Sequence, residues 1–251
     1  MRGLPEKTKA DFALLQLLPN MLTIAAICAG LTAIRFGVQG NYLYAVQLIL
    51  VASVLDGLDG RLARLLGADS KMGAELDSLA DFLNFGVAPA LIVYFWALQD
   101  LRGAGWIAAL VFSVCCVVRL ARFNVAGKSE DTDGSSEYFV GVPAPAGALL
   151  AMLPMYLSFA FNDARLLPGI VIGGYVVVIG LLMISHIPTW SFKTTRISRG
   201  NVKYFLVGFA FVAAAVWTYA WITLAVLCFA YAAMVVRAWL TSRKHFGKRV
   251  D

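Results

Sequence analysis

Asp56, Asp59, Asp77 and Asp81 gather four carboxylates in one stretch of a chain that is otherwise 60% hydrophobic. Asp56 and Asp59 are three residues apart and share one face of a helix; Asp77 and Asp81 are four apart and share a face of the next. A short connection makes the two helices antiparallel neighbours, so the two pairs converge. Convergent carboxylates at a membrane boundary repel one another, and burying them is costly. Hard divalent cations such as Mg²⁺, Mn²⁺ and Ca²⁺ relieve both problems, because they prefer oxygen ligands. The neighbours suit phosphate chemistry. Gly57 and Gly60 leave the backbone open to a bulky anion, and Arg64 offers a guanidinium to phosphate oxygens. Gly67 and Gly73 bracket a polar connection, where Asp69 and Glu75 read as caps and solvated acids.

The elements that position these residues are membrane helices. The 251 residues are only 14% charged, whereas a soluble domain has about 25% charged residues. That excess of apolar residues excludes a water-soluble globular protein, a disordered chain and a secreted disulfide scaffold. A membrane span needs about 20 apolar residues. Such runs occur near residues 17–37, 41–62, 79–99, 104–124, 143–161, 168–187, 203–219 and 222–240. The last two are contiguous, and Trp217, Tyr219 and Trp221 mark an interfacial turn between them. The expected fold is an all-α integral membrane protein, a polytopic bundle of about eight transmembrane helices.

Charge placement orients the bundle. Of 21 Lys and Arg, 18 fall on one side of that span pattern, leaving Arg35, Arg102 and Arg165 on the other. This puts both termini and the carboxylates on the cytoplasmic side. The net charge of +6 fits contact with anionic lipid and calls for no nucleic-acid partner. Residues 1–19 read as a cytoplasmic segment with a short interfacial helix at Phe12–Leu18, not as a signal peptide. Cys28, Cys115, Cys116 and Cys228 sit in apolar spans as small hydrophobes.

The pattern D-x-x-D-G-x-x-A-R-x8-G-x3-D-x3-D is filled by Asp56, Asp59, Gly60, Ala63, Arg64, Gly73, Asp77 and Asp81. It resembles the signature of the CDP-alcohol phosphotransferase family. The resemblance implies two divalent cations, Mg²⁺ or Mn²⁺, held by Asp56, Asp59, Asp77 and Asp81, with Asp81 also the general base for the acceptor hydroxyl. It implies that Asn20, Gly60, Ala63, Arg64, Ser70 and Gly73 contact the CDP-diacylglycerol donor, Asn20 within the segment Pro19-Asn20-Met21-Leu22. It further implies a six-helix core within residues 1–200, followed by a C-terminal hairpin and basic tail at 201–251. A homodimer in the bacterial inner membrane is expected on the same ground.

The flanking stretches Phe85-Gly86-Val87-Ala88-Pro89-Ala90, Arg119-Leu120-Ala121-Arg122-Phe123-Asn124, Phe139-Val140-Gly141-Val142-Pro143-Ala144-Pro145 and Ile187-Pro188-Thr189-Trp190-Ser191-Phe192-Lys193 are similar to the phosphatidylserine synthase branch. That likeness implies L-serine as acceptor and CMP as the leaving product. Arg119 and Arg122, one turn apart, suit the serine carboxylate. Lys193, Arg196 and Arg199 read as anchors at the phosphate surface, and the polar loop 127–138 as a connector. Two alternatives remain open: the same chemistry with a phosphorylated acceptor such as glycerol 3-phosphate or inositol phosphate, and a divalent-cation transporter. The second predicts acids near mid-membrane, whereas these lie at one edge.

Overall fold

A computed structural model describes residues 9–68, 70–129, 139–162, 166–185, 188–189, 214–216 and 218–247. Among the described residues, five helices are long and apolar enough to cross a membrane: Leu17–Val38, Tyr42–Leu66, Lys71–Leu101, Gly103–Val125 and Ala220–Leu240. Gly169–Ile184 is a shorter apolar helix. The protein is therefore a polytopic helical membrane protein. Most of the expected span at 203–219, most of the loop 127–138, and Lys193, Arg196 and Arg199 lie outside the described residues.

Two expectations are corrected. The segment 143–161 is not one continuous helix but two eight-residue helices, α6 (Ala144–Ala151) and α7 (Leu153–Ala160). They break at Met152, where Pro154 removes a backbone donor. Nor does a separate helix end ahead of Pro19. The first helix, α1 (Lys9–Val38), runs straight through that proline. Proline is tolerated inside membrane helices because neighbouring groups satisfy the backbone it disrupts.

The chain divides into two compact units, Met1–Trp96 and Ala97–Asp251. In the first, α1 packs along α2 (Tyr42–Leu66). The buried stripe of α1 is small: Thr23, Ala26, Ala29, Gly30, Ala33 and Gly37. Small residues let helix backbones approach closely where lipid provides no hydrophobic drive for association. Ala45, Val46, Ile49, Ala52 and Asp59 form the buried face of α2.

The connection after α2 is set by local chemistry. Gly67 takes the left-handed conformation at φ 59° and closes the helix, while Ala68 N–H donates to the Ala63 carbonyl at 2.9 Å. Ser70 then opens α3 (Lys71–Asp81), its Oγ accepting from Gly73 N–H at 3.0 Å. Directly after Asp81 the helix widens into a π-helical segment, Phe82–Val87, before α4 (Ala88–Val93). Such single-turn widenings often accompany functional sites.

In the second unit, α5 (Gly103–Ser129) packs on α8 (Gly169–Ile184). Here Gly180 lies against the Phe112 backbone, where a β-carbon would stand 3.1 Å from the Phe112 Cα. The last helix, Ala220–Gly247, packs on α7 (Leu153–Ala160). Trp221 meets Phe159 edge-on at 4.9 Å. Phe139–Val140 and Pro188–Thr189 form a short antiparallel pair, so two of the flanking stretches come together.

Candidate active site

Asp56 and Asp81 stand equally far from the Gly67–Ser70 connection, one on each arm of a helical hairpin, and their side chains are in hydrogen-bond contact. Eleven residues of helix place them about 16 Å from that connection. Asp59 lies within electrostatic range of Asp56, and Asp77 within range of both. The four carboxylates thus gather within the first unit, as the helical spacing predicts.

Their packing is uneven. Asp59 is 3% exposed, and both of its oxygens are engaged: Oδ2 accepts from the Thr23 hydroxyl at 2.6 Å, and Oδ1 from Gly60 N–H at 2.6 Å. Asp56 Oδ1 is buried and has no hydrogen-bond partner. Two carboxyl groups in contact, as Asp56 and Asp81 are, need a shared proton or a cation between them. Among the described residues, no three side chains of His, Cys, Asp or Glu close on a common point as a finished metal site. The donor set nevertheless suits a hard divalent ion: it is all carboxylate oxygen, and one of those oxygens is buried without a partner.

Beside the carboxylates is a cavity of about 250 Å³, bounded by α1, α2, the connection and α3. Its wall includes Asn20, Gly60, Ala63, Arg64, Ser70 and Gly73, together with Asp59 and Asp77. All six residues that the resemblance assigns to the donor therefore share one cavity. Gly73 is part of the reason it is open: a β-carbon there would stand 3.0 Å from both Asn20 Oδ1 and Ser70 Oγ. Pro19, Thr23, Ala68 and Ala74 complete the lining.

Residues 16–190 match the CDP-alcohol phosphatidyltransferase family. The chain belongs to that family. It is similar to the CDP-diacylglycerol–serine O-phosphatidyltransferase of Mycobacterium leprae, 42% identical over 203 residues, covering 80% of this chain and 67% of the relative. A Mycobacterium tuberculosis protein of the same name is 41% identical over 206 residues, covering 80% and 70%. One from Helicobacter pylori is 35% identical over 198 residues, covering 79% and 81%. This phosphatidyltransferase is thus an enzyme, and its signature residues Asp56 to Asp81 lie inside the matched region.

Arg119 and Arg122 belong to α5 in the second unit. Arg119 is half-buried and lies within electrostatic range of Tyr231 on the last helix. Arg122 is exposed, and its Nη1 donates to the Ile184 carbonyl at 2.9 Å, satisfying a group at the C-terminal end of α8.

Two further residues, Thr23 and Asn84, carry no chemical signal in the sequence. Thr23 is one more threonine in an apolar run, distinguished only by standing four residues after Pro19. Asn84 is the one carboxamide between Phe82 and Leu98, three residues beyond Asp81. It is fully buried against Gly30, and both of its amide atoms lack partners.

Proposed function

We propose that this chain transfers the phosphatidyl group of CDP-diacylglycerol to the hydroxyl of L-serine, giving phosphatidylserine and CMP. The observation that carries the reading is the cavity, which places Asn20, Gly60, Ala63, Arg64, Ser70 and Gly73 beside Asp59 and Asp77. The printed activity of the relatives supports serine as the acceptor.

In this reading Asp56, Asp59, Asp77 and Asp81 would hold two divalent cations, Mg²⁺ or Mn²⁺. When bound, such ions neutralise charge on the diphosphate and orient it for displacement. The chain does the rest. Arg64 holds the nucleotide end, and Gly60 and Gly73, having no side chains, leave room for it in the cavity. Asp81 accepts the proton of the serine hydroxyl as its oxygen bonds to the lipid-bearing phosphorus. The bond from that phosphorus to the oxygen of CMP breaks, and CMP leaves with the electron pair. Arg119 and Arg122 are assigned to the serine carboxylate, which a guanidinium can hold in a bidentate pair.

The setting belongs to the same proposal. The family core occupies residues 1–200 as six spans and the hairpin 201–251, making eight in all. The site faces the cytoplasm of a bacterial inner membrane, where a lipid donor arrives sideways and serine from water. The working unit is a homodimer.

The test is CMP release by the purified protein in detergent with CDP-diacylglycerol and Mn²⁺ or Mg²⁺. L-serine, glycerol 3-phosphate and inositol phosphate are offered separately. Metal-dependent release with serine alone is the expected result. Release with a phosphorylated acceptor instead would keep the chemistry and overturn the acceptor.

A further inference from the structure

Thr23 lines the cavity and is 4% exposed, on the buried stripe of α1. Its hydroxyl has two acceptors in range, the Pro19 carbonyl at 3.2 Å and Asp59 Oδ2 at 2.6 Å. One proton serves one acceptor at a time. A helical threonine can donate to the carbonyl four residues back. Here the carboxylate is much the closer acceptor, at a length within the range of about 2.5–2.7 Å that marks charge-assisted O–H···O⁻ bonds. The hydroxyl is therefore committed to Asp59, 36 residues away on the neighbouring helix.

The consequence falls on the orientation of that carboxylate. Gly60 N–H holds Oδ1 and Thr23 holds Oδ2, each at 2.6 Å, so the carboxylate plane is fixed from both ends. Each oxygen of an ionised carboxylate has capacity for a second partner, so both remain able to bind a cation. Partners of this kind orient metal ligands, and losing one typically costs about 10–100-fold in metal affinity or activity.

We infer that Thr23 is a positioning residue, whose hydroxyl holds the Asp59 carboxylate in the orientation that receives a divalent cation. This rests on the reading of Asp59 as a metal ligand. Valine keeps the shape of threonine without the hydroxyl, and serine keeps the hydroxyl, so the two variants separate packing from hydrogen bonding.

The experiment measures Mn²⁺ binding to the full-length protein in detergent by the loss of the free-ion electron paramagnetic resonance signal. Wild type, Thr23→Val, Thr23→Ser and Asp59→Asn are compared. The Mn²⁺ concentration giving half-maximal CMP release is recorded in parallel. T23V should weaken Mn²⁺ binding by about 10–100-fold, shift the half-maximal concentration by a similar factor, and reduce the maximal rate less. T23S should stay within about threefold of wild type, the hydroxyl being the feature that matters. Wild-type affinity in T23V while D59N is weakened removes the role of Thr23 and leaves Asp59 a ligand. A T23S as weak as T23V also overturns the proposal. Unchanged affinity in D59N removes the ligand reading itself. If T23V is recovered only as aggregate, Thr23→Ala is read by the same criteria.

Discussion

Asn84 Oδ1 occupies the space that a β-carbon on Gly30 would need, so the π-helical segment after Asp81 sits directly on the α1 backbone. Only the bare Cα of glycine allows that approach, and a weak Cα–H···O contact suits it. The segment that follows the proposed base is thereby held against the helix that carries Thr23 and Asn20. Gly30→Ala should overpack this contact and cost about 1–3 kcal/mol. The check is thermal unfolding of the purified protein in detergent. Combining it with Asn84→Ala should recover part of the loss, because the clash then has no second partner. Additive losses in the double mutant would place the strain elsewhere.

The contact between Asp56 and Asp81 sets two roles against each other. Asp81→Asn should lower CMP release by at least about 100-fold, the usual weight of a general base. CDP-diacylglycerol binding should remain nearly intact. Asp56→Asn should instead weaken metal-dependent donor binding. Turnover assays and a donor-binding titration at several Mn²⁺ concentrations separate the outcomes. Near-wild-type release by D81N in the presence of serine would end its assignment as base.

What could be read from the sequence was what is local. The three- and four-residue spacing of Asp56/Asp59 and Asp77/Asp81 is a property of one helix each, and the structure brings the four together as that spacing requires. Gly60, Ala63, Arg64 and Gly73 belong to a local signature, and they line one cavity together with Asn20 and Ser70. Pro19 follows the expected end of the interfacial helix at Leu18, but within a membrane bundle the helix continues through it. The break at Met152 was hidden by an apolar run that satisfied hydropathy without being one helix. Thr23 and Asn84 were invisible for a different reason. Each acquires its meaning from a partner on another helix, Asp59 and Gly30, and no periodicity records such a pairing.

Ser70 and Gly73 separate stability from donor binding within one turn of helix. Ser70 caps α3 through Gly73 N–H at 3.0 Å, and both residues line the cavity. Ser70→Ala should cost about 1 kcal/mol of stability through the lost cap. Gly73→Val puts branched carbon where Asn20 Oδ1 and Ser70 Oγ already stand at 3.0 Å from the β-position. It should raise the KM for CDP-diacylglycerol by more than about tenfold, roughly 1.4 kcal/mol of binding. Serine KM should be little altered in both. Steady-state kinetics with each substrate varied in turn, beside a thermal scan, distinguishes the cap from the pocket.

Arg119 and Arg122 both carry the charge that a serine carboxylate needs, but their surroundings differ. One arm of Arg122 is bound to the Ile184 carbonyl at 2.9 Å, and the side chain is exposed. That contact ties α5 to the end of α8 and is worth about 1 kcal/mol as a net hydrogen bond. Arg119 is half-buried near Tyr231, where a guanidinium is less screened and an anion is held more strongly. Arg119→Met should therefore raise the serine KM by more than about tenfold with the donor KM unchanged. Arg122→Met should lower the unfolding midpoint and raise the serine KM by less than about threefold, since one arm already serves the helix end. A reversed pattern, with Arg122 governing serine and Arg119 governing stability, would reassign the carboxylate to the exposed arginine. Unchanged serine KM in both variants would remove the acceptor role from this helix altogether.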